Sequence, residues 1–132
     1  MRTRTKARQR AAEALYEAEV RSVDPAEIIA RNPDANEYTG FIVGVVQENL
    51  PRIDETISTY SRDWSLDRMP AVDRAILRVA VAELLFDTAL DSAVIISEAV
   101  EVAANIGSEE AGKFLNGILG QIATVRSSQI TL

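Results

Sequence analysis

The sequence of 132 residues contains neither cysteine nor histidine. Without cysteine the chain has no disulfide and no thiolate nucleophile, and without histidine it lacks the commonest metal ligand and general base at neutral pH. Any catalysis would therefore have to use carboxylates. We expect a protein that is not an enzyme and that holds neither a metal ion nor another cofactor.

Long apolar runs are also missing. The most apolar stretch, residues 75–86, is interrupted by Arg78 and Glu83, whereas a helix that crosses a bilayer needs about 20 apolar residues. The basic start of the chain is not followed by the apolar segment of a secretory signal. We therefore expect a cytoplasmic protein without membrane contact, folded as one domain over residues 1–132.

Positive charge is concentrated at the start of the chain. The net charge is −6, yet the first ten residues carry +5, and the remainder holds nine basic and 20 acidic side chains, a balance of −11. The five cations are Arg2, Arg4, Lys6, Arg8 and Arg10. Phosphate attraction acts locally, within a Debye length of about 8 Å, so the cluster predicts contact with RNA or DNA. A solvated terminus without a ligand is the alternative.

The first helix is predicted from one apolar stripe and extends to about Arg21. The stripe consists of Ala7, Ala11, Ala14, Leu15 and Ala18, at the spacing of one helix face. Arg4 would lie almost on this stripe, and a helix extended that far would bury its charge. We therefore predict that residues 1–5 form a mobile basic arm that orders on binding.

Further helices are predicted by capping residues, prolines and glycines, which gives an all-α fold of about seven helices. The signals are Asp24 with Pro25, Asp34 with Glu37, a break at Pro51, a start at Pro70, a start at Asp91 or Ser92, an end at Gly107 and a cap at Ser108. Three glycines lie inside the last helix, where each costs about 1 kcal/mol relative to alanine. They are Gly112, Gly117 and Gly120, and they suggest close approach of a backbone or ligand, with chance as the alternative.

Two aromatic side chains are candidate contacts. Tyr16 points almost opposite the alanine stripe, and an exposed ring near arginines favours single-stranded nucleic acid or a protein partner. Phe114 borders the apolar stripe of the last helix, close to Lys113. It either stacks an unpaired base or belongs to the rim of the core.

Other charged residues leave alternatives open. For Glu98 and Glu101, one helical turn apart, a solvated helix face is favoured over a dicarboxylate metal site. Arg74 and Arg78 stand among alanines on the most apolar helix. They either face a partner or form internal salt bridges with the surplus carboxylates.

Four runs of sequence resemble the NusB family of transcription antitermination factors. They are residues 12–16 after the arginine-rich start, 72–78, 96–103 and 113–119. The resemblance implies an all-helical protein, two small bundles packed together, that is not an enzyme. It implies binding of the single-stranded boxA element of ribosomal RNA leader transcripts, jointly with the ribosomal protein NusE, in an RNA polymerase antitermination complex.

The resemblance also implies roles for individual positions. The basic start matches the family's RNA-binding segment, and Lys113 with Phe114 matches an RNA-contacting stretch. Tyr16 and Asp73 match positions that meet NusE, and Glu110 matches a position that tunes the complex. We add Arg74, and place all four on a predicted partner surface. Members of the family are monomers or homodimers, and the sequence leaves both open. The alternative function is a helical protein-interaction adaptor that does not bind RNA directly.

Overall fold

The computed structural model describes residues 2–32, 36–87 and 89–130. Over these ranges the chain forms seven α-helices and no strand. The helices are α1 (Thr3–Arg21), α2 (Pro25–Arg31), α3 (Glu37–Glu48), α4 (Leu50–Tyr60), α5 (Ala71–Phe86), α6 (Ser92–Ile106) and α7 (Ala111–Ile130), with a 3₁₀ turn at Leu66–Arg68. The predicted all-α fold of about seven helices is confirmed.

Several helix ends lie where the capping residues predict them. The carboxylate of Asp24 accepts a hydrogen bond from the backbone nitrogen of Ala26, 2.9 Å away, at the start of α2. At the start of α3 the cap is Asn36, which accepts from the backbone of Thr39 at 2.9 Å. The predicted cap Asp34 lies outside the described residues. Prolines and short polar connectors therefore divide the chain into helices of 7 to 20 residues.

Helix α5 forms the centre of the molecule. Helices α1, α3, α4, α6 and α7 all pack against it, so that α1–α3 form one bundle and α4, α6 and α7 form the other, with α5 shared. The largest fully buried side chains come from both bundles: Ile42, Ile53, Ile57, Ile76, Leu77, Leu84, Ile95, Leu115, Leu119 and Ile122. Helix α5 is therefore covered on two sides. In the described part of the chain, no helix has the length and apolar character of a bilayer span.

Candidate nucleic-acid interface

The start of α1 is helical from Thr3, and it packs onto α6. Thr5 is fully buried, and its hydroxyl donates a hydrogen bond of 2.7 Å to Oε1 of Glu98. Nη2 of Arg2 lies 2.6 Å from the other oxygen of Glu98. The prediction of a mobile arm over residues 1–5 is therefore wrong for residues 3–5, because α6 supplies polar partners for the first helical turn.

Arg8 is the buried cation of the basic start, with only 4% of its surface exposed. Its Nε lies 2.9 and 3.0 Å from the two carboxylate oxygens of Glu83, and its Nη1 lies 2.7 Å from Glu98. Burial opposes the charge, but the hydrogen bond and attraction of Glu83 outweigh it and raise the pKa of Arg8. The predicted RNA contact is therefore wrong for Arg8, which has no surface to offer a phosphate.

Glu98 is likewise buried, with 3% of its surface exposed. The solvated face predicted for Glu98 and Glu101 is wrong for Glu98, whose carboxylate receives bonds from three side chains of α1 and its N-terminal cap: Arg2, Thr5 and Arg8. Glu101 is exposed, with an oxygen 3.5 Å from Nη2 of Arg2. The carboxylates of α6 thus hold the basic start of the chain in place.

The other cations of the basic start remain accessible. Arg2, Arg4 and Lys6 are exposed. Cζ of Arg4 lies 3.9 Å from the ring centroid of Tyr38 on α3. Arg10 is half-buried and lines a groove between α1 and α2. Four of the five predicted cations can therefore reach a polyanion without rearrangement of the fold.

A second candidate surface is a groove at the start of α7. The ring of Phe114 stacks on Trp64, with centroids 3.9 Å apart and planes inclined by 24°. Lys113 is exposed at the edge, and the groove is lined further by Tyr60, Arg62, Gly117 and Gln121. Phe114 also packs against the core, as the core-rim interpretation predicts, and the stacking of an unpaired base on this ring stays a prediction. Trp64 was not predicted from the sequence, although it is the only tryptophan and lies in an irregular connector.

The glycines of α7 do not mark close packing within the chain. Apart from the adjacent residues and the nearby backbone of α7 itself, a Cβ atom added at Gly112, Gly117 or Gly120 would meet no atom within 4 Å. A backbone of this chain is therefore not the reason for these residues. Gly117 lies in the groove beside Phe114, so approach of a ligand and chance remain as the two explanations for this glycine.

The predicted partner surface is only partly exposed. Tyr16 is 40% exposed, and Glu110 is exposed at the beginning of α7. Asp73, by contrast, is fully buried. One of its oxygens accepts from the backbone nitrogen of Ser108 at 2.9 Å and the other from its hydroxyl at 2.6 Å. Direct contact of Asp73 with a partner is therefore not supported. Asp73 holds the connection between α6 and α7, and the hydroxyl of Ser108 donates to this carboxylate instead of capping α7.

Arg74 and Arg78 form internal contacts. Nη1 of Arg74 donates to the carbonyl oxygen of Leu66 at 2.7 Å, while Nη2 lies 2.6 Å from Glu19 on α1. Arg78 makes two bonds of 2.9 Å to Asp54 on α4. The salt-bridge alternative is therefore correct for both, and Arg74 joins the 3₁₀ turn to α5 and α1 instead of facing a partner.

The two candidate surfaces lie toward opposite ends of α5. Arg8 meets Glu83 near the end of this helix, whereas Asp73 at its beginning binds Ser108, three residues before α7. Ten residues of helix separate positions 73 and 83, or about 15 Å. A single strand that contacts both surfaces therefore has to span several nucleotides.

Comparison with known proteins gives one consistent result. The model of the NusB family matches residues 5–124. The transcription antitermination protein NusB of Salinispora arenicola is 46% identical over 131 residues, which cover 93% of this chain and 96% of that protein. A solved structure of T. maritima NusB superimposes with a TM-score of 0.85 at 35% identity, over the whole of both chains.

A third similar structure is a complex. A chain in the crystal structure of antitermination factors NusB and NusE with dsRNA superimposes with a TM-score of 0.82 at 32% identity. The match covers 95% of the present chain and 98% of that chain. The similarity therefore extends over both helical bundles and over both candidate surfaces.

Proposed function

This chain belongs to the NusB family of transcription antitermination factors, and we propose that it binds the single-stranded boxA element of ribosomal RNA leader transcripts jointly with the ribosomal protein NusE. In this role it is a non-enzymatic subunit of an RNA polymerase antitermination complex. The observation that supports RNA and NusE as partners is the match, over 95% of the chain, to a chain in the crystal structure of NusB and NusE in complex with dsRNA. We expect it to act in the cytoplasm, on the growing transcript.

The groove at Phe114 favours an unpaired strand. Phe114 and Trp64 form an aromatic pair beside the ammonium group of Lys113. Unpaired bases stack on such rings while a neighbouring cation meets a phosphate, whereas in a duplex the base faces are hidden. This arrangement supports single-stranded RNA as the ligand.

The charge distribution supports the same ligand. The chain carries −6 overall, so a polyanion is attracted only where cations are concentrated. With Arg8 buried, five of the predicted cations remain accessible near the two surfaces: Arg2, Arg4, Lys6, Arg10 and Lys113. Arg62, which was not predicted, is also exposed in the Phe114 groove. If all five neutralise phosphates of a single strand, the slope of log affinity against log salt is about −3.5.

The exposed face of α1 supports a protein partner. Tyr16 and Val20 are one helical turn apart and are 40% and 61% exposed. Exposed aromatic and aliphatic side chains of this kind form the centres of protein interfaces. We therefore propose that NusE binds at this face of α1, which follows the basic start in the sequence.

The proposal is tested by the affinity of the purified protein for a boxA RNA and a scrambled RNA of equal length, each with and without NusE. We expect preferential binding of boxA, strengthened by NusE and weakened by salt. Equal and salt-independent affinities for the two RNAs would contradict the proposal. Partners captured from a lysate and retained after nuclease treatment, without any RNA binding, would support the alternative of a protein adaptor.

A further inference from the structure

Arg4 is held on the face of an aromatic ring. Its guanidinium carbon lies 3.9 Å from the centroid of Tyr38, and the side chain is exposed. This distance corresponds to van der Waals contact between the guanidinium group and the ring, as in other cation–π pairs. The guanidinium group therefore lies over the Tyr38 ring, while the Arg4 side chain keeps surface that a ligand can reach.

The ring beneath Arg4 is fixed by buried groups. The hydroxyl of Tyr38 donates a hydrogen bond to Glu83, whose carboxylate is 1% exposed. The same carboxylate receives two bonds from Arg8. This network joins α1, α3 and α5, and Tyr38 cannot turn away without breaking its hydrogen bond to a buried carboxylate. Arg4 is thus positioned before any ligand arrives.

A second ring extends this surface. Phe41 lies one helical turn after Tyr38, with ring centroids 6.0 Å apart, and it is 58% exposed. Isolated exposed apolar side chains are common and need no function. Phe41 differs because it adjoins a guanidinium group that already lies on an aromatic ring.

We propose that Arg4, held on Tyr38, stacks against one unpaired base of a single-stranded RNA, with Phe41 forming the edge of this base platform. Guanidinium planes and aromatic rings are the surfaces on which proteins stack single-stranded bases. In this role Arg4 recognises the plane of a base as well as supplying charge. The inference rests on the proposed function, because it takes RNA as the ligand of the basic start.

Charge favours RNA over a protein as the occupant. The first turn of α1 contains no acidic residue, and Arg2 and Lys6 are exposed on the neighbouring positions. Both cations lie within two residues of Arg4 and add to the local attraction for the phosphates of a strand seated there. The platform lies near the end of α5 opposite the Phe114 groove, so the two aromatic surfaces would hold bases several nucleotides apart.

The substitution Arg4→Lys separates stacking from charge, because it keeps the positive charge and removes the planar group. On single-stranded boxA RNA we expect it to weaken binding by about 5-fold or more, with an unchanged salt slope. Arg4→Gln should weaken binding further and reduce the magnitude of the slope by about 0.7. Lys6→Gln is the matched control: it should reduce the slope equally but keep the wild-type dependence on individual bases, because Arg4 is unchanged.

RNAs carrying one abasic nucleotide at a time identify the stacked base. For the wild type we expect a loss of about 5-fold or more at one position bound by the Arg4 platform and at a second position bound in the Phe114 groove. For Arg4→Lys we expect no further loss at the first of these positions only. Tyr38→Leu, which removes the ring, should behave like Arg4→Lys if thermal melting shows it folded. Arg4 is exposed, so its substitutions should leave the melting temperature unchanged. The Arg4 variants therefore test the inference even if Tyr38→Leu does not fold.

The outcomes separate this inference from the proposed function. Suppose that the wild type binds boxA RNA and that Arg4→Lys loses affinity at the same abasic positions, and by the same factors, as the wild type. Arg4 then contacts phosphate only, and the inference is overturned. Loss of NusE binding with unchanged RNA binding in Arg4→Lys would overturn it in favour of a protein occupant. If the wild type binds no boxA RNA with or without NusE, the proposed function itself fails, and this inference fails with it.

Discussion

Arg8 and Glu83, 75 residues apart in sequence, form a buried ion pair in which Nε of the arginine lies 2.9 and 3.0 Å from the two carboxylate oxygens. The pair joins α1 to the central helix α5, and Glu98 brings α6 to the same guanidinium at 2.7 Å. A cation from the most basic segment is thereby used to assemble the fold. Arg8 fixes α1 against α5, and the other cations of the basic start stay accessible on the outer surface of this segment.

Replacement of Arg8 by alanine should destabilise the protein strongly. It leaves the carboxylates of Glu83 and Glu98 buried without their main counter-charge, and loss of one member of a buried pair costs about 3–5 kcal/mol. Urea denaturation followed by circular dichroism measures this loss. Lys6→Ala, an exposed change on the same helix, should alter the free energy of unfolding by less than about 0.5 kcal/mol. Equal stability of the two variants would show that the buried network contributes little.

Stability should fall at alkaline pH in a way that depends on Tyr38. Burial, together with the hydrogen bond to Glu83, raises the pKa of Tyr38 above its ordinary value, which is about 10. The folded state therefore holds this proton more tightly than the unfolded state, so the contribution is complete below pH of about 10 and is lost as the pH rises further.

The measurement is the free energy of unfolding between pH 8 and 11. We expect a shallower decline above pH of about 10 for Tyr38→Phe than for the wild type. Tyr16→Phe is the control, because its ring is exposed on α1 and its hydroxyl has no comparable buried partner to lose. A decline of the same steepness in all three proteins would exclude Tyr38 as its cause.

The helices were predictable because local signals define them. The alanine stripe of α1, the cap at Asp24 and the break at Pro51 each act within a few residues of the chain. The burial of Arg8 was not predictable in the same way, because its partners come from α5 and α6 and only the tertiary fold brings them near. Arg4 was predicted to lie outside the helix because its charge would be buried. A cation on the apolar stripe is nevertheless tolerated where carboxylates or an aromatic ring contact it.

A signal for the buried pair was nevertheless present. Glu83 stands inside the most apolar stretch of the sequence, and a carboxylate in such a helix requires a cation. In the candidate site, too, contacts made only by the tertiary fold were missed. Phe114 was identified from its position on α7, whereas its stacking partner Trp64 lies in a connector without periodicity. Side chains on regular helices were therefore easier to interpret than those placed by loops.

Phe114→Ala should weaken binding of single-stranded RNA by about 1–3 kcal/mol, the contribution of one base stacked on an aromatic ring. The substitution removes half of the aromatic pair with Trp64, so circular dichroism must first show that the variant is folded. Val94→Ala, at an exposed apolar position on α6, is the control and should bind as the wild type does. Unchanged affinity of a folded Phe114→Ala variant would restrict this ring to the core rim.

Alanine at Gly112 and at Gly117 should have different consequences. Both positions have room for a Cβ atom, so each change should stabilise the helix by up to about 1 kcal/mol. Only Gly117 lines the groove beside Phe114. We therefore expect Gly117→Ala to weaken RNA binding if the strand approaches this backbone closely, while Gly112→Ala leaves the affinity unchanged. Filter binding and thermal melting on the two variants measure both effects, and equal RNA affinities would show that the groove backbone is not approached.

Asp73 should influence NusE binding only through the fold. Because both of its oxygens accept from Ser108, Asp73→Ala leaves the part-buried backbone nitrogen of that residue without its acceptor, at a cost of about 1–3 kcal/mol. Ser108→Ala removes only the hydroxyl bond and should cost less. If Asp73 acts as a positioning residue, both changes reduce NusE capture in proportion to their loss of stability, whereas Tyr16→Ala reduces capture without destabilising the protein. Loss of NusE binding in a fully stable Asp73→Ala variant would instead require direct contact of this carboxylate with the partner.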